Sequence, residues 1–418
     1  MNKKKIYHLF EGYGIELEYM IVDKQSLNVL PISDKLFHHV VQEYTNDVER
    51  GEYGWSNELV LHVIEIKNQA PAASFDSLDT SFQLEIETVN RGLQTFNACL
   101  MPTAMHPWMD PRKETRLWPH ENKKIYETFD RIFDCHQHGW ANLQSCQINL
   151  PFDSDDEFVR LHAAIRFLMP LMPALTASSP IVEEKKTDFL DNRLQAYRNN
   201  CVRVPSITGN VIPEKIGGME QYKKQILETI YKDVSVHDPQ RTLAYEWLNA
   251  RGAITRFDRN AIEIRLLDMQ ETPRADIAIL QAIVAILKKL TAGEILNLSQ
   301  LKDWPDKPLE QILKKTIVLA DLALIEDKAY LKAWGLAENK KITAGEMWGS
   351  LLKKYVHPKT SKEKKRISLV KKILEKGVLS RRILAAIDND FSHEKIHSVY
   401  QELTDCLCYE KLFRIDNA

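Results

Sequence analysis

A chain of 418 residues and 48.4 kDa, 44% apolar and 27% charged, exceeds what one hydrophobic core usually organises, so two domains or one with a substantial appendage are expected. Its formal charge of −2 argues against nucleic acid or an anionic membrane as a general partner. The charge is uneven: residues 301–418 hold 23 Lys and Arg against 17 Asp and Glu, which leaves 33 against 41, of totals 56 and 58, for the acidic first part.

The six cysteines have neither the density nor the spacing of a disulfide scaffold or a zinc site, and fit a reducing compartment. The basic start of the chain lacks the sustained apolar stretch of a signal peptide, and no run of about 18 uncharged apolar residues follows. A soluble cytoplasmic protein is expected, with small-molecule partners and with a homo-oligomer allowed.

In chain order, residues 14–22 and 58–67 read as strands, separated by turn-rich material around Asn46 and Gly51 to Gly54. From Asp76 the period changes to that of a helix, with Leu78, Phe82, Ile86, Val89, Leu93 and Phe96 on one stripe. Four prolines, from Pro102 to Pro119, then mark an irregular segment. Residues 143–150 form a short strand, and Ser154 with Glu157 opens a helix that Pro170 and Pro173 perturb.

After an arginine-rich stretch (Arg193, Arg198, Arg203) and a helix near 220–231, Leu243 to Trp247 and Ala261 to Leu267 read as the last strands. Thr272 and Pro273 suit the N-cap and first position of a long helix to Leu290. Beyond it every clear signal is helical, including capping boxes at Thr343 to Glu346 and Thr360 to Glu363. A boundary is therefore placed near residue 300, between a strand-containing region (1–300) and a helical C-terminal region (301–418). Gly209, Gly217 and Gly218 match neither a P-loop nor a dinucleotide fingerprint.

Two distant strands carry the chemistry. Glu16 and Glu18 share one strand face about 7 Å apart, a separation that neighbouring divalent ions sharing a phosphate can span. Glu263 and Arg265 repeat the geometry with opposite charges, which suits a metal ligand beside a phosphate donor. A solvated, solubilising face accounts for either pair equally well. Glu58 and Glu65 are seven apart, so both face one site only if a bulge or bend intervenes. Glu65 lies among apolar neighbours, where an unpaired carboxylate is costly. Gln147 and Asn149 form a neutral i,i+2 pair able to donate a ligand or hold a carboxylate. Arg198, Arg203, Arg256, Arg259 and Arg265 are the candidate phosphate contacts, with Arg265 the best placed.

The segments Gly14-Ile15-Glu16-Leu17-Glu18, Glu58 to Ile66, Gln144 to Asn149 and Ala261 through Gln270 together resemble glutamate-cysteine ligase family 2, the carboxylate-amine ligases related to glutamine synthetase. The resemblance covers about residues 10–295. It implies an α+β fold whose curved, mostly antiparallel sheet, backed by helices, cradles ATP, a divalent metal (Mg²⁺, or Mn²⁺) and an amino acid. It further implies that ATP phosphorylates the γ-carboxylate of glutamate and that an amine, with cysteine as the leading acceptor, attacks the acyl phosphate. Carried over, Glu16 and Glu18, Glu58 and Glu65, and Glu263 are metal ligands, with Arg265 the phosphate contact and Arg265 and Glu65 catalytic; Gln147 can still coordinate through its amide oxygen, and Arg198, Arg203, Arg256 and Arg259 remain nucleotide contacts on their guanidinium chemistry. Family members carry a histidine where this chain has Gln147, a weaker, neutral ligand. A non-catalytic nucleotide or amino-acid binder and a small-molecule phosphotransferase are the alternatives on the same fold.

Overall fold

The period-two alternation at the start of the chain becomes the centre of the fold. In the computed structural model, which describes residues 6–337 and 341–415, Gly14–Asp23 is strand β1; Ile15, Leu17, Tyr19 and Ile21 are fully buried on one face and Glu16 and Glu18 point from the other. The other strands are β2 (Asp47–Arg50), β3 (Tyr53–Asn57), β4 (Val63–Asn68), β5 (Ala98–Met101), β6 (Ser145–Pro151), the small separate ribbon β7 (Ile181–Val182) and β8 (Lys185–Lys186), then β9 (Ala253–Arg256) and β10 (Ala261–Asp268). Among the described residues, eight strands make one curved, open antiparallel sheet in the order β2-β3-β4-β1-β6-β10-β9, with β5 pairing the far end of β1. The fold is α+β, as expected.

The convex face is covered by helices whose stripes the sequence announces. Leu78–Leu93 buries Phe82, Ile86 and Val89, and Pro273–Thr291 buries Ile279, Ile283 and Ile286 against the same core. Thr272 caps the second of these helices by accepting from the Ala275 N–H, with Pro273 at the first position.

The concave face has two halves. Glu16 and Glu18 line the first, whereas Met20 and Val22, next on the same side of β1, join Val63 and Met101 in an apolar cluster with Ile383, Ile396, Tyr400 and Leu403. The C-terminal helices Leu379–Ile387 and His393–Cys408 thus close the apolar half and leave the acidic half open.

Two strand expectations need correction. The acidic strand begins at Val63, not residue 58: Val60 bridges Leu117, Leu61 N–H bonds the Arg116 carbonyl, and a turn follows in which buried His62 donates to the Ala141 carbonyl at 2.7 Å. Leu243 to Trp247 is not a strand. Asp238 accepts from the Leu243 N–H, Tyr245 N–H turns back on the Leu243 carbonyl, and the edge of β10 is already paired by β9 through a tight hairpin. The C-terminal region is helical apart from a two-stranded contact, Leu324–Ile325 with Ile342–Thr343, and both predicted capping boxes are formed.

One buried ion pair ties the end of the chain to the sheet. Arg382 donates to Glu271 at 2.6 Å and to the Phe413 carbonyl at 2.7 Å, and neither charged side chain reaches solvent. Glu271→Ala leaves a guanidinium buried without its partner, and a loss of about 3–5 kcal/mol is expected in urea unfolding. A loss below about 1 kcal/mol contradicts this role.

Candidate active site

Sheet register brings the acidic residues together. Glu18 on β1 lies directly opposite Glu65 on β4, a like-charge pair that is unfavourable without compensation. The turn before β4 folds Glu58 back onto the same face, which is how a spacing of seven serves one site. Glu18, Glu58 and Glu65 each offer an oxygen within 4.8 Å of the others. Glu65 accepts from Ser56 Oγ at 2.7 Å, whereas the Glu58 carboxylate makes no hydrogen bond or ion pair among the described residues. Burial, then the charges of Glu18, Glu65 and Glu16, push the Glu58 carboxyl well above its ordinary pKa.

The amides of β6 hold the carboxylates of β1 diagonally. Gln147 Nε2 donates to Glu18 at 2.7 Å and Asn149 Nδ2 to Glu16 at 3.2 Å, while the Ser145 N–H gives Glu18 a second contact at 2.6 Å. Gln147 thus spends its amide nitrogen on orienting a carboxylate. Glu16 also takes Arg259 at 3.2 Å. Burial, with Glu65 and Glu263 nearby, still pushes the Glu16 carboxyl up to about 8 against the pull of Arg259 and Lys67.

Glu263 is saturated by cations. Arg265 donates to one of its oxygens through Nε at 2.8 Å and again through Nη2, and Arg256 reaches the other at 3.1 Å. Burial alone would raise its pKa, but Arg265 and Arg256 outweigh it and hold Glu263 below the usual value. Arg265 owes its aim to a bulge: the β10–β6 register shifts between Ile264 and Leu267, and Arg265 N–H bonds the Gly252 carbonyl. The carbonyls of Arg265, Leu266 and Leu267 are gathered by Arg193, at 2.8, 3.3 and 3.2 Å.

These groups line a cavity of about 330 Å³ whose opposite wall is aromatic, with Tyr126, Phe129, Trp140, Tyr197 and Trp247. A second cavity of about 660 Å³ adjoins it at Glu16 and Arg259 and is lined by Tyr7, Lys67, Pro71, Asn149 and Phe152. Of the predicted set, Glu16, Glu18, Glu58, Glu65, Gln147, Arg256, Arg259, Glu263 and Arg265 all meet here. Arg198 and Arg203 do not: they bond Gln195 and the Arg131 carbonyl outside both cavities. Arg193 and Lys67 take their places, and neither was singled out from sequence. Lys67 alternates in register with Glu65 on β4, the one signal that could have found it.

A sequence model of glutamate-cysteine ligase family 2 matches residues 13–402. The chain belongs to that family. It is accordingly an ATP-dependent carboxylate-amine ligase. An uncharacterized protein of Archaeoglobus fulgidus is 33% identical over 394 residues, covering 94% of this chain and 98% of that protein. A glutamate–cysteine ligase of Francisella tularensis, solved with AMP, superposes with a TM-score of 0.57 at 12% identity over 98% of this chain and 90% of its own. A bifunctional glutathione synthetase of Pasteurella multocida gives 0.55 at 11%, covering 95% of this chain and 53% of that one. At these identities the two structures speak for a shared fold.

The donors suit the divalent metal that ligases of this family use. Hard carboxylate oxygens converge from Glu18, Glu58 and Glu65, and Glu58 has no other partner among the described residues. Glu16 gives a pH test in metal-free protein. Its native pKa of about 8 exceeds the ordinary 4.5, so between these values the native state binds more protons than the unfolded state, and this contribution to stability falls as pH rises. Thermal melts in chelator from pH 5 to 9 are expected to show wild type losing stability relative to Glu16→Gln across that window. A constant difference contradicts the assignment.

Proposed function

We propose that this ligase joins the γ-carboxylate of glutamate to an amine, with cysteine as the leading acceptor, through an acyl phosphate. The observation that carries the reading is the division of one concave face into three converging carboxylates (Glu18, Glu58, Glu65) and a fixed cationic row (Arg256, Arg259, Arg265). An acyl phosphate forms only if a triphosphate and a carboxylate are held together despite their repulsion, which is what such a face does. The larger cavity, with Tyr7, Pro71 and Phe152, is assigned the nucleoside, and the smaller one the two amino substrates.

Glu18, Glu58 and Glu65, with Glu16 and Glu263 flanking them, would hold Mg²⁺ or Mn²⁺, which supplies charge neutralisation at the phosphoryl oxygens. Gln147 and Asn149 keep the carboxylates of β1 aimed at that position. The substrate carboxylate oxygen attacks the γ-phosphorus and the bond to ADP breaks; Arg259, at the junction of the cavities, and Arg265 offset the charge that moves toward ADP. The amine then attacks the acyl carbon and phosphate leaves. The aromatic wall of Trp140 and Trp247 keeps water from competing with the amine.

Purified protein is expected to release ADP only when glutamate and an amine are both present, with the amide detected by mass spectrometry. Glu58→Gln is expected to lower turnover by about 10²–10³ while leaving the melting temperature unchanged or raised, because it removes a half-buried carboxyl that has no partner among the described residues. A stable phosphorylated product with no amide points instead to a phosphotransferase, and tight ATP binding without turnover on any pair to a binding protein.

A further inference from the structure

We propose that Lys67 is a built-in cation of the cradle: its ammonium stands where a second divalent ion would otherwise sit, beside Glu65 and across from Glu16, and contacts the phosphoryl group as it passes between the two cavities. The phosphoryl part of this inference rests on the ligase reading; the cation part does not.

The position of the ammonium is over-determined. Lys67 Nζ lies 2.8 Å from Ser56 Oγ, 3.1 Å from Asp47 and 3.3 Å from Glu65, so three strands (β2, β3 and β4) hold it. Ser56 in turn donates to Glu65 at 2.7 Å, which fixes ammonium and carboxylate relative to each other. The β1–β4 register sets Lys67 directly opposite Glu16. Its side chain is 21% exposed and lines the larger cavity, while its partner Glu65 lines the smaller one.

Ser56 Oγ accepts one of the three N–H donors of the ammonium, while Asp47 and Glu65 face it as ion pairs, so a phosphoryl oxygen in the larger cavity can compete for the remaining donors. Asp47 and Ser56, neither a member of the carboxylate triad, keep the group from swinging away. A compact, strongly hydrated point charge suits a phosphoryl oxygen that moves during transfer better than a planar fork does. In the step itself the bond from the γ-phosphorus to the ADP oxygen breaks as the bond from the substrate carboxylate oxygen forms. Lys67 keeps all its protons and only neutralises charge.

The test compares wild type with Lys67→Met and Lys67→Arg, each checked by thermal melting, with Lys67→Gln substituted should the methionine variant not fold. Mn²⁺ titration of nucleotide-free protein, followed by electron paramagnetic resonance, is expected to show binding about tenfold or more tighter in Lys67→Met, since a positive charge next to a ligand oxygen is gone. A non-hydrolysable ATP analogue with Mg²⁺ is expected to bind about tenfold more weakly, and kcat to fall about 100-fold, with Lys67→Arg within about tenfold of wild type. Unchanged Mn²⁺ affinity in Lys67→Met overturns the cation position. Tighter Mn²⁺ with wild-type analogue affinity and kcat reduces Lys67 to a counter-ion and overturns the phosphoryl contact. If wild type releases no ADP with any carboxylate–amine pair, the ligase reading fails by itself, and the Mn²⁺ and analogue titrations still decide the role of Lys67.

Discussion

Mutual repulsion among carboxylates on one concave sheet face is the constraint that organises this protein. Of the five carboxylates that share the cleft, four are answered: Glu16 by Arg259 and Asn149, Glu18 by the Ser145 N–H and Gln147, Glu65 by Ser56 with Lys67, and Glu263 by Arg256 with Arg265. Glu58 has no such answer among the described residues, and its carboxyl is driven far above its ordinary pKa by burial and by its neighbours. A cation bound among these oxygens would offset that repulsion. Binding a metal–nucleotide complex is the natural outlet for it.

The rest of the fold serves to keep that face rigid. The bulge in β10 turns Arg265 into the cleft, and buried Arg193 gathers the carbonyls the bulge leaves behind. Amphipathic helices back the convex side, and the C-terminal helices cover the apolar half of the concave side through Tyr400 and Leu403. Position along β1 thus divides the face: Glu16 and Glu18 line the cleft, whereas Met20 and Val22, two and four residues on from Glu18, face protein.

Much of this was legible in the chain because local rules agreed with the fold. The alternation of Gly14–Asp23 and Ala261–Asp268, the stripe from Leu78 to Leu93, the Thr272-Pro273 start and the capping boxes at Thr343 and Thr360 all rest on neighbours within a few residues. What escaped depends on distant partners. The break before Val63 is made by Leu117 and Ala141, and the Leu243 to Trp247 pattern has strand period but is turned back on itself by the Leu243–Tyr245 contact and by Asp238. Arg193, Arg198 and Arg203 look alike in sequence; only the position of the bulge separates the one inside from the two outside. Strand alternation put forward the acidic set, the family likeness joined it into one site, and geometry added Lys67.

The central claim is that an oxygen of the substrate carboxylate passes to phosphate on the way to the amide. The direct test uses glutamate labelled with ¹⁸O in its γ-carboxylate, together with ATP, Mg²⁺ and cysteine, and follows the released inorganic phosphate by ³¹P NMR. One ¹⁸O per phosphate, in step with amide formation, is the predicted result. Phosphate free of ¹⁸O, with amide still formed, contradicts the acyl phosphate and the reading of the cleft built on it.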